Sequence, residues 1–89
     1  MKVLKFGAEW CPGCIIMKPR WKEIEDELGW LKNEFYDYDK DKEMVEKYKI
    51  TQTLPTFVFI DKDGNEITRL SGEYEKNDLI QLVNKYKDN

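Results

Sequence analysis

The sequence contains no histidine. That absence removes the commonest general base near neutral pH and the commonest metal ligand together. Long hydrophobic runs are missing too: the apolar stretches are only a few residues long, against the roughly 20 that a membrane-spanning helix needs. Residues 1–10, MKVLKFGAEW, lack the apolar core and small-residue cleavage site of a secretory leader, so a cytoplasmic setting is expected. Nor is there a surplus of positive charge. Fifteen Lys and Arg face eighteen Asp and Glu, a net charge of −3. A nucleic-acid partner is therefore not expected, because gripping a phosphate backbone needs a basic face. The 89 residues show no repeat, no low-complexity segment and no linker, and read as one domain over 1–89, expected to be a monomer.

Cysteine is scarce, and the two that are present lie close together, Cys11 and Cys14. A structural disulfide stabilises by closing a loop in the unfolded chain. A four-residue loop gains only about 1.9 kcal/mol on this account, against roughly 4.7 for a hundred-residue loop. A reducing cytosol would keep such a bond open. The pair is a poor staple, and a redox cycle explains it better. Two other readings stand beside that one. Half a zinc knuckle, or half of an Fe–S or zinc site bridging two protomers, would need ligands from a second chain, since zinc sites want four Cys or His ligands. Two inert buried cysteines would need no partner at all.

Hydrophobic patterning orders the chain. Residues 2–7, KVLKFG, predict a strand covered on both faces. A helix is predicted from Pro12 to about Leu28, with Ile15, Ile16, Ile24 and Leu28 on its inner side, a kink at Pro19 and a stop at Gly29. Residues 33–38, NEFYDY, predict a second strand. Asp39 or Asp41 can cap a short helix from about Lys42 to Tyr48, with Met44, Val45 and Tyr48 inward. The run 56–60 is the most strand-like in the chain. Asp61-Lys62-Asp63-Gly64 signals a turn, and 65–70 the return strand of a hairpin. A last helix spans about Asn77 to Tyr86, with Leu79, Ile80, Leu82, Val83 and Tyr86 on one stripe. The order βαβαββα predicts an α/β fold. Its first two strands are parallel through a right-handed crossover, and its mixed four-stranded sheet is flanked by helices on both faces.

The run Trp10-Cys11-Pro12-Gly13-Cys14 falls where a strand ends and a helix begins. The first turn of a helix has unpaired N–H groups and the positive end of the macrodipole, so a thiolate at Cys11 is stabilised there. Cys14 lies one helical turn on, on the same face. It is expected to be the more buried of the two and to act as the resolving thiol, with Cys11 the exposed nucleophile. Pro12 suits the first helical position, where its missing N–H costs nothing. Gly13 lets a partner's backbone approach closely.

These residues resemble the thioredoxin-fold family. The matching stretch is Phe6-Gly7-Ala8-Glu9-Trp10-Cys11-Pro12-Gly13-Cys14. Pro19, Leu54-Pro55-Thr56-Phe57, Gly64 and Gly72 follow in order, and the anchors cover residues 2 to about 86. The resemblance is closer to thioredoxin than to glutaredoxin. It implies a thioredoxin-like fold and a protein-disulfide reductase that cycles Cys11 and Cys14 between dithiol and disulfide, without cofactor or metal. It also implies a cis bond at Leu54–Pro55 packed against the cysteine pair, and a substrate groove along Thr53, Leu54 and Gly72. The implied partners are disulfide-containing proteins and a thioredoxin reductase-like or glutathione-based reductant. A glutathione-using, glutaredoxin-like enzyme is the nearest alternative. Three departures stand out. The extra N-terminal strand and helix of full-length members are not present here, the spacer is Pro-Gly where thioredoxins typically have Gly-Pro, and Lys5 replaces a buried aspartate. Lys5 either snorkels to the surface or holds its ammonium near the cysteines and favours thiolate. Glu9 is expected to be exposed. Trp21 and Trp30 read as packing, Phe35, Tyr36 and Tyr38 as sheet filling, and the charges from Asp37 to Lys49 as a solvated face.

Overall fold

A computed structural model describes residues 1–89. Seven elements follow one another: β1 Lys2–Gly7, α1 Pro12–Glu27, β2 Lys32–Asp37, α2 Lys42–Lys47, β3 Thr56–Ile60, β4 Glu66–Ser71 and α3 Lys76–Lys85. The strands form one mixed sheet in the order β2-β1-β3-β4. β1 runs parallel to β2 and antiparallel to β3, and β3 and β4 form the antiparallel hairpin. No helix is long and apolar enough to cross a membrane.

Alternation along the central strands assigns the two faces. Val3, Phe57 and Phe59 point toward α1 and α3 and pack with Met17, Trp21, Ile24, Leu79 and Val83. Leu4, Phe6, Val58 and Ile60 point the other way, against Met44, Val45 and Tyr48 of the α2 region. β3 is buried at every position, as a central strand covered on both faces must be. The anticipated fold class and element order hold, with boundaries shifted by a residue or two.

Three local expectations need correction. The buried face of α1 is Met17, Trp21 and Ile24, whereas Ile15 is 65% and Ile16 45% exposed. Positions 17, 21 and 24 follow the i, i+4, i+7 spacing of a helix packed on a sheet, and the two isoleucines lie off that stripe. α1 continues through Pro19 and closes with the Leu28 N–H donating to the Ile24 carbonyl. Gly29 stands at the anticipated C′ position after the Leu28 C-cap, but without the positive φ of a left-handed cap, which Gly64 and Gly72 adopt. Finally, Asp41 stands at the N-cap of α2 without a side-chain capping bond, because its carboxylate accepts the Asp37 N–H instead, at 2.6 Å.

Candidate active site

The β1–α1 junction brings the two cysteines together. Gly7 ends β1, and the chain turns tightly enough for the Cys11 N–H to donate to the Ala8 carbonyl at 3.2 Å. Cys11 is the N-cap of α1 and Pro12 its first helical residue. The Cys11 Sγ accepts the Cys14 N–H at 3.2 Å. It thus serves as the capping acceptor for an orphan donor of the first turn, in the field of the helix N-terminus. Both cysteines are free thiols.

Their burial is the reverse of the expectation. Cys11 is only 4% exposed, and Cys14 is the partly exposed one. A capping side chain folds back over the helix end, which draws the Cys11 sulfur inward. Cys14, one turn on, borders a cleft of about 810 Å³ that also takes in Gly7, Ile15, Met17, Trp21, Phe35, Pro55 and the Lys5–Glu25 pair. Access alone therefore does not separate the two thiols. The Cys14 pKa is pushed up to about 12, first by burial of the sulfur and then by its hydrogen bond with Cys11. Both outweigh the opposing backbone amide of Ala8. The close packing of that sulfur is visible at Gly7, where an added Cβ would stand 3.1 Å from the Cys14 Sγ and 3.3 Å from Phe35 Cε2.

The far wall comes from the loop before β3. Leu54–Pro55 is a cis peptide bond. Pro55 is buried, and its Cδ lies 3.1 Å from where a Cβ on Gly13 would be. A side chain at position 13 would crowd the proline, which would have to give by a few tenths of an ångström; this adds a second reason for the glycine beyond substrate approach. Thr56, an anchor of the family resemblance, had no role read for it in the sequence. It is buried, donates its hydroxyl to the Thr53 carbonyl at 2.6 Å, and lies 3.0 Å from the Ser71 Oγ. Those bonds fix the carbonyl edge of Thr53. The Leu54 N–H and C=O have no hydrogen-bond partner within the chain, leaving a short open backbone edge beside Pro55. Gly72 has φ +99° and donates its N–H to the Pro55 carbonyl at 2.8 Å. The structure thus gathers Thr53, Leu54, Pro55 and Gly72 along one wall, with Gly13 of the cysteine turn packed against its proline.

Trp10 is 52% exposed, yet held. Its Nε1 donates to Asp39 Oδ2 at 2.8 Å, and its ring meets Tyr38 edge-on at 6.2 Å. Asp39 belongs to a stretch read as a solvated face. Residues 40–43 beyond it are indeed exposed, and only the fold shows Asp39 facing the indole. Glu9 is exposed and paired with Lys40 at 3.6 Å. Phe35 is 60% exposed, contrary to its reading as sheet filling, because β2 is an edge strand and its ring stands at the mouth of the cleft. Trp21 is core, as anticipated, and Trp30 packs against the same cluster.

Lys5 lines the same cleft as Cys14. Its side chain is 16% exposed, and its ammonium pairs with Glu25 at 3.5 Å, 5.9 Å from the Trp21 ring centre. Burial lowers its pKa, and Glu25 partly restores it. The charge is committed to a carboxylate on α1.

Comparison with known proteins agrees with this geometry. The thioredoxin family model matches residues 1–85. Thioredoxin of Chlamydia pneumoniae is 31% identical over 84 residues, covering 94% of this chain and 80% of that protein. Thioredoxin of Bacillus subtilis is 34% identical over 82 residues, covering 91% and 77%. The structure of Fasciola hepatica thioredoxin superimposes with a TM-score of 0.84 at 33% identity, covering 94% of this chain and 78% of that one. A dithiol at the mouth of a helix, a cis-proline wall and this match along nearly the whole chain make it a member of the thioredoxin family, a thiol–disulfide oxidoreductase.

Proposed function

We propose that the chain reduces disulfides with Cys11 as nucleophile and Cys14 as resolving thiol. The Cys11 thiolate attacks one sulfur of a substrate disulfide, and a mixed disulfide forms as the first substrate thiolate leaves. Cys14 then gives up its proton and attacks the Cys11 sulfur. The second substrate thiolate leaves, and the Cys11–Cys14 disulfide remains. Two electrons pass from the protein to the substrate. A thioredoxin reductase-like or glutathione-based reductant resets the pair, and the setting is cytoplasmic.

The observation that carries this assignment is the hydrogen bond from the Cys14 N–H to the Cys11 sulfur. It delivers helix-terminus stabilisation to Cys11, while Cys14 stays protonated. The open N–H and C=O of Leu54 suit an extended substrate segment that adds backbone hydrogen bonds beside Pro55. Trp10, next to Cys11 in the chain, is held by Asp39. The test is trapping. Cys14→Ser should accumulate mixed disulfides with a cystine-containing protein, and Cys11→Ser should accumulate almost none. Equal trapping by both, or trapping through Cys14 alone, would contradict the assignment.

A further inference from the structure

One carboxylate at the dithiol is left without a partner. Glu9 is paired with Lys40, Asp39 holds Trp10, and Glu25 holds Lys5. Glu73 is exposed and makes neither an ion pair nor a hydrogen bond through its side chain. Its Oε2 and Cγ both lie 3.7 Å from the position that a Cβ on Gly13 would occupy, beside Pro55. The carboxylate therefore stands at the cysteine turn itself.

Its backbone is clamped on both sides. The preceding Gly72 donates to the Pro55 carbonyl at 2.8 Å. The following Tyr74 donates its N–H to Met17 Sδ at 3.4 Å, and its carbonyl accepts from Arg20 Nη1 at 2.6 Å. Arg20 is thus occupied by a backbone carbonyl and leaves the Glu73 charge uncompensated. A substrate segment laid along Leu54 passes this carboxylate next to the sulfur under attack.

We infer that Glu73 is a specificity-determining residue. It favours disulfides flanked by basic residues and disfavours anionic ones, glutathione disulfide included. Each half of glutathione disulfide carries two carboxylates and one ammonium at neutral pH, a net charge of −1, and would bring like charge to Glu73. A lysine or arginine next to the substrate cystine would meet an unpaired acid. The contact lies in solvent, so its effect is modest and salt-sensitive, and it acts chiefly on encounter and orientation. The inference rests on the proposed use of the groove and names the class of substrate that the groove prefers.

The test uses pre-reduced full-length protein freed of reductant. It is mixed with two cystine peptides that are identical except for arginines or glutamates flanking the cystine, and with glutathione disulfide. Acid quenching and counting of released thiol give second-order rate constants. The arginine-to-glutamate ratio within each variant cancels any general change in activity. Attraction of one peptide and repulsion of the other compound, so Glu73→Gln should lower the ratio by about 3- to 10-fold, and Glu73→Lys should invert it. Raising salt to about 0.5 M, where the screening length is about 4 Å, should bring the wild-type ratio toward one. Glu23→Gln makes the same charge change farther along α1 and should leave the ratio alone. An unchanged ratio in both Glu73 variants overturns the inference while the disulfide reductase reading stands. An equal shift in Glu23→Gln overturns it as a net-charge effect. Failure of the wild type to reduce any of the three disulfides overturns the reading and the inference together.

Discussion

At the scale of single residues, the raised pKa of Cys14 bears on how that thiol reacts. Burial of the sulfur and its hydrogen bond with Cys11 push the Cys14 pKa up, so that thiol stays protonated at pH 8. The thiolate is the species that reacts, so limited alkylation at pH 8 should label Cys11 before Cys14, although Cys14 is the more exposed by area. Mass analysis of the tryptic peptide checks the order, and prior labelling of Cys14 would show that access dominates. Lys5 obeys a different balance. Its pKa is lowered chiefly by burial, so the native state is penalised for the charged form. That penalty is full below the lowered pKa and disappears as pH rises toward 10.5. Glu25 keeps about a third of its side chain exposed and would not be stranded without its partner. Lys5→Met retains the stem over Trp21 and should raise stability at pH 7 by up to about 1 kcal/mol, read as a higher urea midpoint. A loss of that size would mean that the ion pair outweighs desolvation. Neither behaviour is legible in the sequence. Cys11 and Cys14 are recognisable by spacing, but the Lys5–Glu25 and Trp10–Asp39 contacts join residues 20 and 29 positions apart.

At the scale of elements, α1 shows how a pattern can identify a helix and still misjudge its rotation. Four isoleucines and leucines suggested the inner face, yet Met17 and Trp21 carry it. Methionine adapts to an irregular gap, and here its sulfur also receives the Tyr74 N–H. Trp21 meets Phe57 edge-on at 5.2 Å. Met17→Ala should therefore cost about 2–4 kcal/mol, whereas Ile16→Ala, on the exposed side, should change stability by less than about 0.5 kcal/mol. Denaturant titration of the two variants checks the phase of the helix, and the opposite ranking would restore the face read from the isoleucines. The hairpin was more legible. Asp61 accepts the Asp63 and Asn65 N–H groups through Oδ1, at 2.9 Å each, and Gly64 takes φ +86°. The Asp-Lys-Asp-Gly signal encodes that turn locally, and the Lys62 N–H adds one distant bond, to the Asn89 carbonyl at 2.9 Å.

At the scale of the whole molecule, the same thiol couples redox chemistry to stability. The unfolded chain has a Cys14 near its ordinary value of 9.0, and the native chain holds the proton to about 12. Between those values the native state binds more protons, so stability falls as pH rises through that window. Reduced wild type should lose more stability from pH 8 to 10.5 than reduced Cys14→Ser, which keeps Cys11 and every other titrating group. Urea unfolding at the two pH values measures the difference, and parallel slopes would show that Cys14 does not contribute. The features legible along the chain are those encoded over a short range. They include the order of strands and helices, the dithiol at a helix start with Pro12 in the first turn, the turn at residues 61–64, and the strand of 56–60 bearing its proline in front. Tertiary structure alone decided what depends on distant segments meeting. It turned Met17 inward and Ile15 outward, brought Asp39 to Trp10 and Glu73 to Gly13, and set Phe35 at the mouth of a cleft on an edge strand. The physical reason is that hydrogen-bonding periodicity and capping act between neighbours along the chain. Burial, desolvation and ion pairing depend on which surfaces the whole chain brings into contact.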